Sequence, residues 1–306
     1  YRSRPTLDAM LKMRDENVST AYFEIDNSLR AIKESPVDAI PAAGAAWSTA
    51  GDTAKWLDFL LNDGCVDGKR LVSSDNFNML LKPQVMVPKS EFYPTVKLTA
   101  PHWTSYGYGW FQQDYQGKFV AMHTGSMDGR TAIIGLMPDE NLGVYIFGNL
   151  DHAEYRHALM WQVLDAYTNA PFRDWSSEFL TLYGGLNEDY KKAEAEYVAN
   201  RVKNTTPSLD LSAYVGTYRH PVYGDIDLKL KDSRLQFAMG PLPDNAGTLM
   251  HWHYDTFRVQ LGDGRYGWVN VVFRIDGNAS VSAVRIFDDT TDAMEFKRVL
   301  PTNKSN

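Results

Sequence analysis

Cysteine is nearly absent from this chain: Cys65 is the single one among 306 residues, so no intrachain disulfide can form. It stands in the polar turn Asn62 to Gly68 with no histidine close in sequence, and reads as a structural thiol rather than a nucleophile. Positive charge is also scarce. Lys and Arg number 31 against 38 Asp and Glu, giving a formal net charge of -7 and a sequence pI near 5.5. Without a basic stripe no nucleic-acid partner is expected, since phosphate neutralisation needs clustered cations. Apolar runs fall far short of the roughly 20 residues a spanning helix requires, so no membrane span is expected. No Gly-rich phosphate loop is present. Asp139-Glu140 and Asp288-Asp289 read as acidic turns without a partner carboxylate, which leaves a glycosidase dyad unsupported. There is no internal repeat or low-complexity tract. Asn-x-Ser/Thr triplets begin at Asn17, Asn204, Asn278 and Asn303, about as many as chance supplies.

What is present is an ordinary globular composition, 44% hydrophobic and 23% charged, with aromatics somewhat rich at 13%. The length allows two domains. Residues 1 to about 46 show little periodicity and read as a surface segment between lobes. A helix is predicted over Asp52–Asn62, capped by Ser48 or Thr49, presenting Ala54, Trp56, Leu57, Leu60 and Leu61, with Gly64 just past its end. A shorter one runs from a Ser74 cap to Pro83. Gln84 to Ser105, punctuated by prolines, reads as a long loop and a candidate rim over a cleft.

A meander follows. Its predicted strands are Tyr106–Phe111, Lys118–Met122 continuing into His123, Thr131–Leu136 and Gly143–Asn149, joined by turns at Gln116-Gly117, Ser126 to Gly129 and Pro138 to Asn141. Ala153–Ala170 is predicted as a helix with Ala158, Leu159, Trp161, Val163, Leu164 and Tyr167 mostly on one side, which makes an α+β layer. His152 and His157 are read as surface residues. Asn187–Asn204 reads as a polar helix whose Lys191-Lys192, Glu194 and Glu196 form a solvated face, and Thr205 to Ser208 marks the boundary between domains 1–205 and 206–306. Beyond it, short strands with regular turns suit a small antiparallel β-barrel or sandwich.

His123-Thr124-Gly125, with Ser126 to Gly129 behind it and Ala42 to Asp52 leading into a helix, resembles the third motif of the serine β-lactamase and penicillin-binding-protein superfamily, Lys-Thr-Gly or its His-Thr-Gly variant. The strings Tyr214 to Tyr218, His251 to Phe257 and Glu295 to Arg298 resemble the lipocalin-like domain that often follows. Together the resemblances cover most of the chain from about Pro41. They imply an α+β fold, an antiparallel sheet with packed helices, plus the C-terminal barrel.

The same resemblance implies roles. His123 takes the place of the lysine that holds a substrate carboxylate and supports proton transfer, and the Ser126 N–H is one oxyanion donor. Thr124, Gly125 and Tyr108 bind substrate. The family's Ser-x-x-Lys occurs nowhere in the sequence, and Tyr167-Thr168-Asn169 follows the third motif where Tyr-x-Asn should precede it. The nucleophile is therefore expected before Tyr1, on an N-terminal half of the catalytic domain that serves as partner, and the chain alone is expected to be inactive. The function implied is acyl-enzyme hydrolysis of ester, amide or D-amino-acid peptide bonds, in the periplasm or outside the cell, on a small molecule or peptide and without a cofactor. A non-catalytic peptide- or cell-wall-binding protein of the same fold is the alternative, and a carrier acting through a hollow barrel a third.

His251, His253 and Asp255 alternate along a predicted strand as metal ligands can, though a buried His–Asp hydrogen bond explains them equally well, and no metal is expected.

Overall fold

The structure, a computed structural model, describes residues 3–13, 17–34, 37–287 and 294–300. The chain divides into two compact units, 1–190 and 191–306. Asp288-Asp289 and Asn303 lie outside the described residues.

In the first unit, helix α1 (Leu7–Leu11), hairpin strands β1 (Ala21–Ile25) and β2 (Ser28–Ile32), and the short helix α2 (Pro41–Gly44) precede the capped helix α3 (Ala50–Leu61). The leading segment is thus more ordered than its lack of periodicity suggests. Asp26 and Asn27, both at positive φ, close the hairpin, and Ala21, Ile25, Leu7 and Met10 are buried. Thr49 caps α3 by accepting from Asp52 N. Its buried face carries Thr53, Phe59 and Leu60, while Trp56 stays largely exposed, stacked on Phe59 at 5.1 Å. The two-residue strands β3 (Cys65–Val66) and β4 (Lys69–Arg70) lead to helix α4 (Ser74–Leu80), capped by Ser73 one residue ahead of expectation.

The proline-rich stretch is packed. It holds strand β5 (Val85–Met86) and helix α5 (Val96–Thr99), and Phe92, Thr95 and Thr99 are buried. Next come β6 (Thr104–Tyr106), β7 (Phe111–Tyr115), β8 (Lys118–Met127), β9 (Arg130–Met137) and β10 (Leu142–Gly148), followed by helices α6 (Tyr155–Tyr167) and α7 (Trp175–Ala199). The six strands form one antiparallel sheet in the order β10-β9-β8-β7-β6-β5. Tyr106 to Phe111 is therefore not one strand. Gly107 to Trp110 is the turn between β6 and β7, where Gly109 sits at φ +82. Glycine alternating with aromatics mimics the two-residue strand period while supplying the conformational freedom of a turn.

Strand alternation sends side chains to two cores. Val120, Met122 and Ile133 pack with Met160, Trp161 and Leu164 of α6 and with Trp175 and Phe179 of α7. Ala121, Ile134 and Leu136 pack with Phe59 and Leu60 of α3 and Phe77 of α4. The inner stripe of α6 is His157, Met160, Trp161 and Leu164, a spacing that turns Leu159 and Tyr167 outward at 44% and 74% exposure. His157, expected at the surface, heads that stripe and is fully buried. Helix α7 begins twelve residues before the predicted polar helix and carries Gly184 and Gly185 in its interior.

The second unit is one nine-stranded antiparallel sheet. Its strands are β11 (Gly216–His220), β12 (Gly224–Lys231), β13 (Arg234–Met239), β14 (Ala246–Thr248), β15 (Met250–His253), β16 (Thr256–Gln260), β17 (Trp268–Ile275), β18 (Val281–Phe287) and β19 (Met294–Arg298). The order β14-β13-β12-β11-β19-β18-β17-β16-β15 nearly closes a barrel. At the seam Gly247 lies so close to β16 that an added Cβ would stand 2.6 Å from Val259 Cγ2 and 2.8 Å from the Gln260 carbonyl. The interior carries Tyr214, Tyr218, Leu228, Phe237, Phe257, Val271, Phe273 and Phe296, all buried in one cluster.

Glu194 does not belong to a merely solvated face. It accepts from Arg258 at 2.8 Å, and that guanidinium is 3% exposed among the rings of Tyr197, Trp252 and Trp268. Among the described residues no helix is long and apolar enough to cross a membrane.

Candidate active-site edge

Strand β8 is the frame of the site, and its two halves differ. Lys118–Met122 pairs with β7 on one side, whereas Ala121–Met127 pairs with β9 on the other, so β7 stops at the Phe111–Met122 pair. Beyond it one side of β8 has no ladder partner among the described residues. The chain cannot follow there, because the turn at Gly107 to Trp110 carries it away into β6.

Ladder parity says which groups face that opening. Two-residue turns at Gln116-Gly117 and Asp128-Gly129 make Tyr115–Lys118 and Met127–Arg130 the closing pairs. Even-numbered residues from Lys118 onward thus direct their N–H and C=O toward the β7 side, and odd-numbered ones toward β9. Thr124 and Ser126 consequently present their main-chain groups at the open half-edge, the orientation an oxyanion donor at Ser126 requires.

Side chains sort by the other alternation. His123 and Gly125 lie on the face of α3 and α4, and Thr124 and Ser126 on that of α6. In front of Gly125 there is open space: a Cβ built there meets no atom within 4 Å. His123 is exposed at the strand edge, its ring centroid 5.8 Å from Phe111 and 6.5 Å from Tyr106. The surrounding rings desolvate the imidazole and lower its pKa below the ordinary value, so it is neutral at pH 7.

Thr124 is placed differently. Its buried hydroxyl donates to the Ala132 carbonyl at 2.8 Å and accepts from Arg156 Nε at 2.7 Å, while its carbonyl accepts from the Tyr93 hydroxyl at 3.2 Å. The hydroxyl is therefore committed beneath the sheet, away from the face of His123. Ser126 Oγ and its cross-strand neighbour Thr131 Oγ1 are buried and have no hydrogen-bond partner among the described residues. Tyr108 projects from the β6–β7 turn, largely exposed. The Tyr167-Thr168-Asn169 string lies at the end of α6, with its tyrosine exposed.

A polar cluster under β8 was not legible in the sequence. Arg156, buried, also donates to the Ala153 carbonyl and lies 3.5 Å from Glu154, whose carboxylate is 3.3 Å from His157 Nε2. Burial, set against the pull of Glu154, holds the His157 pKa below the ordinary value, with Arg156 pushing the same way. The turn at the end of β8 is pinned as well. Gly129 N donates to Asp151 at 3.3 Å, and Gly129 O accepts from Tyr22 N at 3.3 Å.

His251 Nε2 pairs with the Tyr254 carbonyl at 2.9 Å, and His253 Nδ1 accepts from Val202 N at 3.4 Å. Asp255 accepts from Ser208 N and Oγ and from the Tyr214 hydroxyl. No group of three potential metal ligands occurs among the described residues.

A family model described as Beta-lactamase matches residues 3–168, more than half of the chain, and one described as a domain of unknown function (DUF3471) matches 200–300. The chain is 25% identical over 201 residues to the unguisins hydrolase ungD' of Aspergillus campestris, covering 64% of this chain and 36% of that protein. It is 25% identical over 209 residues to the unguisins hydrolase ungD of Aspergillus violaceofuscus, covering 62% and 35%. The chain thus spans about a third of the length of the curated relatives it matches. Among solved structures it is similar to the octameric penicillin-binding protein homologue from Pyrococcus abyssi, with 17% identity and a TM-score of 0.46 over 97% of this chain and 56% of that one. By the extent of the first match, which contains both the His-Thr-Gly strand and the helix before it, this chain belongs to the beta-lactamase family of hydrolases.

Proposed function

We propose that this chain forms one wall of an acyl-transfer site in a serine hydrolase acting on ester, amide or D-amino-acid peptide bonds, the nucleophile being supplied by sequence outside these 306 residues. The observation that carries the reading is the open half-edge of β8, with the Ser126 N–H directed into it and free space before Gly125. The family and the relatives named as hydrolases support it.

A substrate lies along the edge with its backbone against Gly125. As a serine oxygen attacks the acyl carbon, the carbonyl oxygen gains negative charge and accepts a hydrogen bond from Ser126 N–H, the nucleophile's own N–H being the second donor. The serine's proton is taken up by a base as its oxygen bonds to carbon; the bond to the leaving alkoxide or amine breaks, and a proton passes to that leaving group. Neutral His123 can donate at one ring nitrogen and accept at the other, which suits it to that transfer and to the return transfer from water. Water then attacks the acyl-enzyme, releasing the acid and restoring the serine. Thr124 contributes by fixing the strand through Ala132 and Arg156, and Tyr108 by lining the rim. A secreted or periplasmic location accompanies this reading.

Treating the natural protein that carries this chain with a fluorescent phosphonate, and mapping the adduct by mass spectrometry, tests the proposal. The label is expected on a serine outside the 306 residues, with hydrolysis of an acyl ester lost in parallel. A label on a serine within them overturns the division of labour, and no label with retained peptide binding favours the non-catalytic binding role.

A further inference from the structure

The Tyr93 hydroxyl stands where a pairing strand would put its N–H. Beyond the Phe111–Met122 pair, parity turns the N–H and C=O of both Thr124 and Ser126 toward the open side of β8. Two such residues offer an extended peptide two consecutive sets of main-chain hydrogen bonds, the way edge strands recruit partners. The first is interrupted, because the Thr124 carbonyl already accepts from Tyr93 at 3.2 Å. A carbonyl oxygen has two lone pairs. A second donor must nonetheless approach to about 2.9 Å beside the phenol oxygen, so the obstruction is steric as well as electronic. The Tyr93 ring is fixed by edge-on contacts with Phe92 at 6.1 Å and Phe111 at 4.8 Å, and it lies 5.7 Å from the His157 ring. It comes from the segment 84–105, whose Phe92 and Thr95 are buried on either side of it, so the hydroxyl is carried on a rigid support.

We propose that Tyr93 is a specificity-determining residue: by occupying the Thr124 carbonyl it confines an extended substrate to the main-chain hydrogen bonds of Ser126, and so denies longer peptides the affinity that a second set of bonds would add. This rests on the proposed binding of substrate along β8.

Tyr93→Phe removes the hydroxyl and keeps the packed ring, and the test reads binding rather than turnover. With the Thr124 carbonyl carbon and the Ser126 amide nitrogen isotopically labelled, wild-type and Tyr93→Phe chains are titrated with an N-acetylated D-alanine dipeptide and the corresponding tetrapeptide. Wild type is expected to bind both about equally, with the Ser126 signal moving and the Thr124 signal still. In Tyr93→Phe the tetrapeptide is expected to gain about two- to tenfold in affinity, the worth of one hydrogen bond, and to move the Thr124 signal, while the dipeptide is unchanged. If the Ser126 signal moves in both proteins and the variant shows no preference for the tetrapeptide, the role of Tyr93 is wrong and edge binding stands. If neither peptide moves Ser126 in either protein, both proposals fall.

Discussion

Arg156 Nε donates to the hydroxyl of Thr124 at 2.7 Å, tying helix α6 to the underside of the strand that carries His123. Thirty-two residues separate the two. The consequence is that the middle residue of the His-Thr-Gly string is held by its surroundings at both its hydroxyl and its carbonyl. A strand with one unpaired side needs such fixing if its next amide is to stay aimed at a developing charge.

Replacing Arg156 by Met should cost about 3 kcal/mol, because it leaves Glu154 without its nearest cation and the Thr124 hydroxyl without its donor. Arg156→Lys should recover less than half of this, since one ammonium cannot reproduce the fork that serves Thr124, Ala153 and Glu154. Urea unfolding at pH 7 measures both.

Two glycines four residues apart should respond oppositely. Gly129 lies at φ +72, and its added Cβ would stand 2.6 Å from Ala21 Cβ and 2.8 Å from Tyr22 N, so Gly129→Ala should cost at least about 2 kcal/mol. Gly125 faces open space, so Gly125→Ala should change stability by less than about 0.5 kcal/mol. Its effect should fall on substrate affinity, because the methyl group fills the room the substrate uses. Thermal unfolding paired with peptide titration separates the two cases.

Acid should destabilise the first unit through His157. Its pKa is lowered by burial, so below about 6.5 the unfolded chain takes up a proton that the folded one refuses. This contribution is complete above pH 6.5 and is lost as pH falls, by at most about 1.4 kcal/mol per pH unit. His123 shifts in the same direction. His152, raised by its hydrogen bond to Asp151, acts oppositely: it stabilises below 6.5 and loses that effect as pH rises through its raised value. The difference between wild type and His157→Phe isolates the buried ring, which is faced by Tyr93, Glu154, Arg156 and Tyr183. Stability measured from pH 7 to 5.5 should fall more steeply in wild type.

In the second unit Glu194→Ala should cost about 2–3 kcal/mol, less than the roughly 3–5 of a fully buried pair, because Glu194 is half-exposed while Arg258 is not. Glu194→Gln should cost less, keeping an acceptor for the guanidinium. Denaturation of the two variants side by side checks this order.

The elements legible in the sequence were those whose signals are local. Strands β8, β9 and β10 follow from two-residue periodicity between Gln116-Gly117, Asp128-Gly129 and Pro138, and α3 from a Thr cap and a terminal glycine. The Tyr106 to Trp110 string misled because its alternation has the right period while Gly109 adopts a turn conformation. The early start of α7 was hidden by Gly184 and Gly185, which the helix accommodates in its interior. At the site, His123, Thr124, Gly125 and Ser126 were open to selection as candidates because they are contiguous in the sequence. Tyr93, Glu154 and Arg156 were not, since only tertiary packing brings residues thirty positions away beneath it. His157 escaped because the apolar pattern of α6, read from Leu159 and Tyr167, placed the buried stripe on the wrong side.

The most direct test of the β8 edge as an acyl-transfer wall is a crystal structure of the natural protein carrying this chain, trapped with an alkyl phosphonate. A phosphonyl oxygen within about 3 Å of Ser126 N, with the alkyl chain against Gly125, is the expected result. A phosphonate bound elsewhere, with Ser126 N–H paired to another strand of the protein, would contradict it.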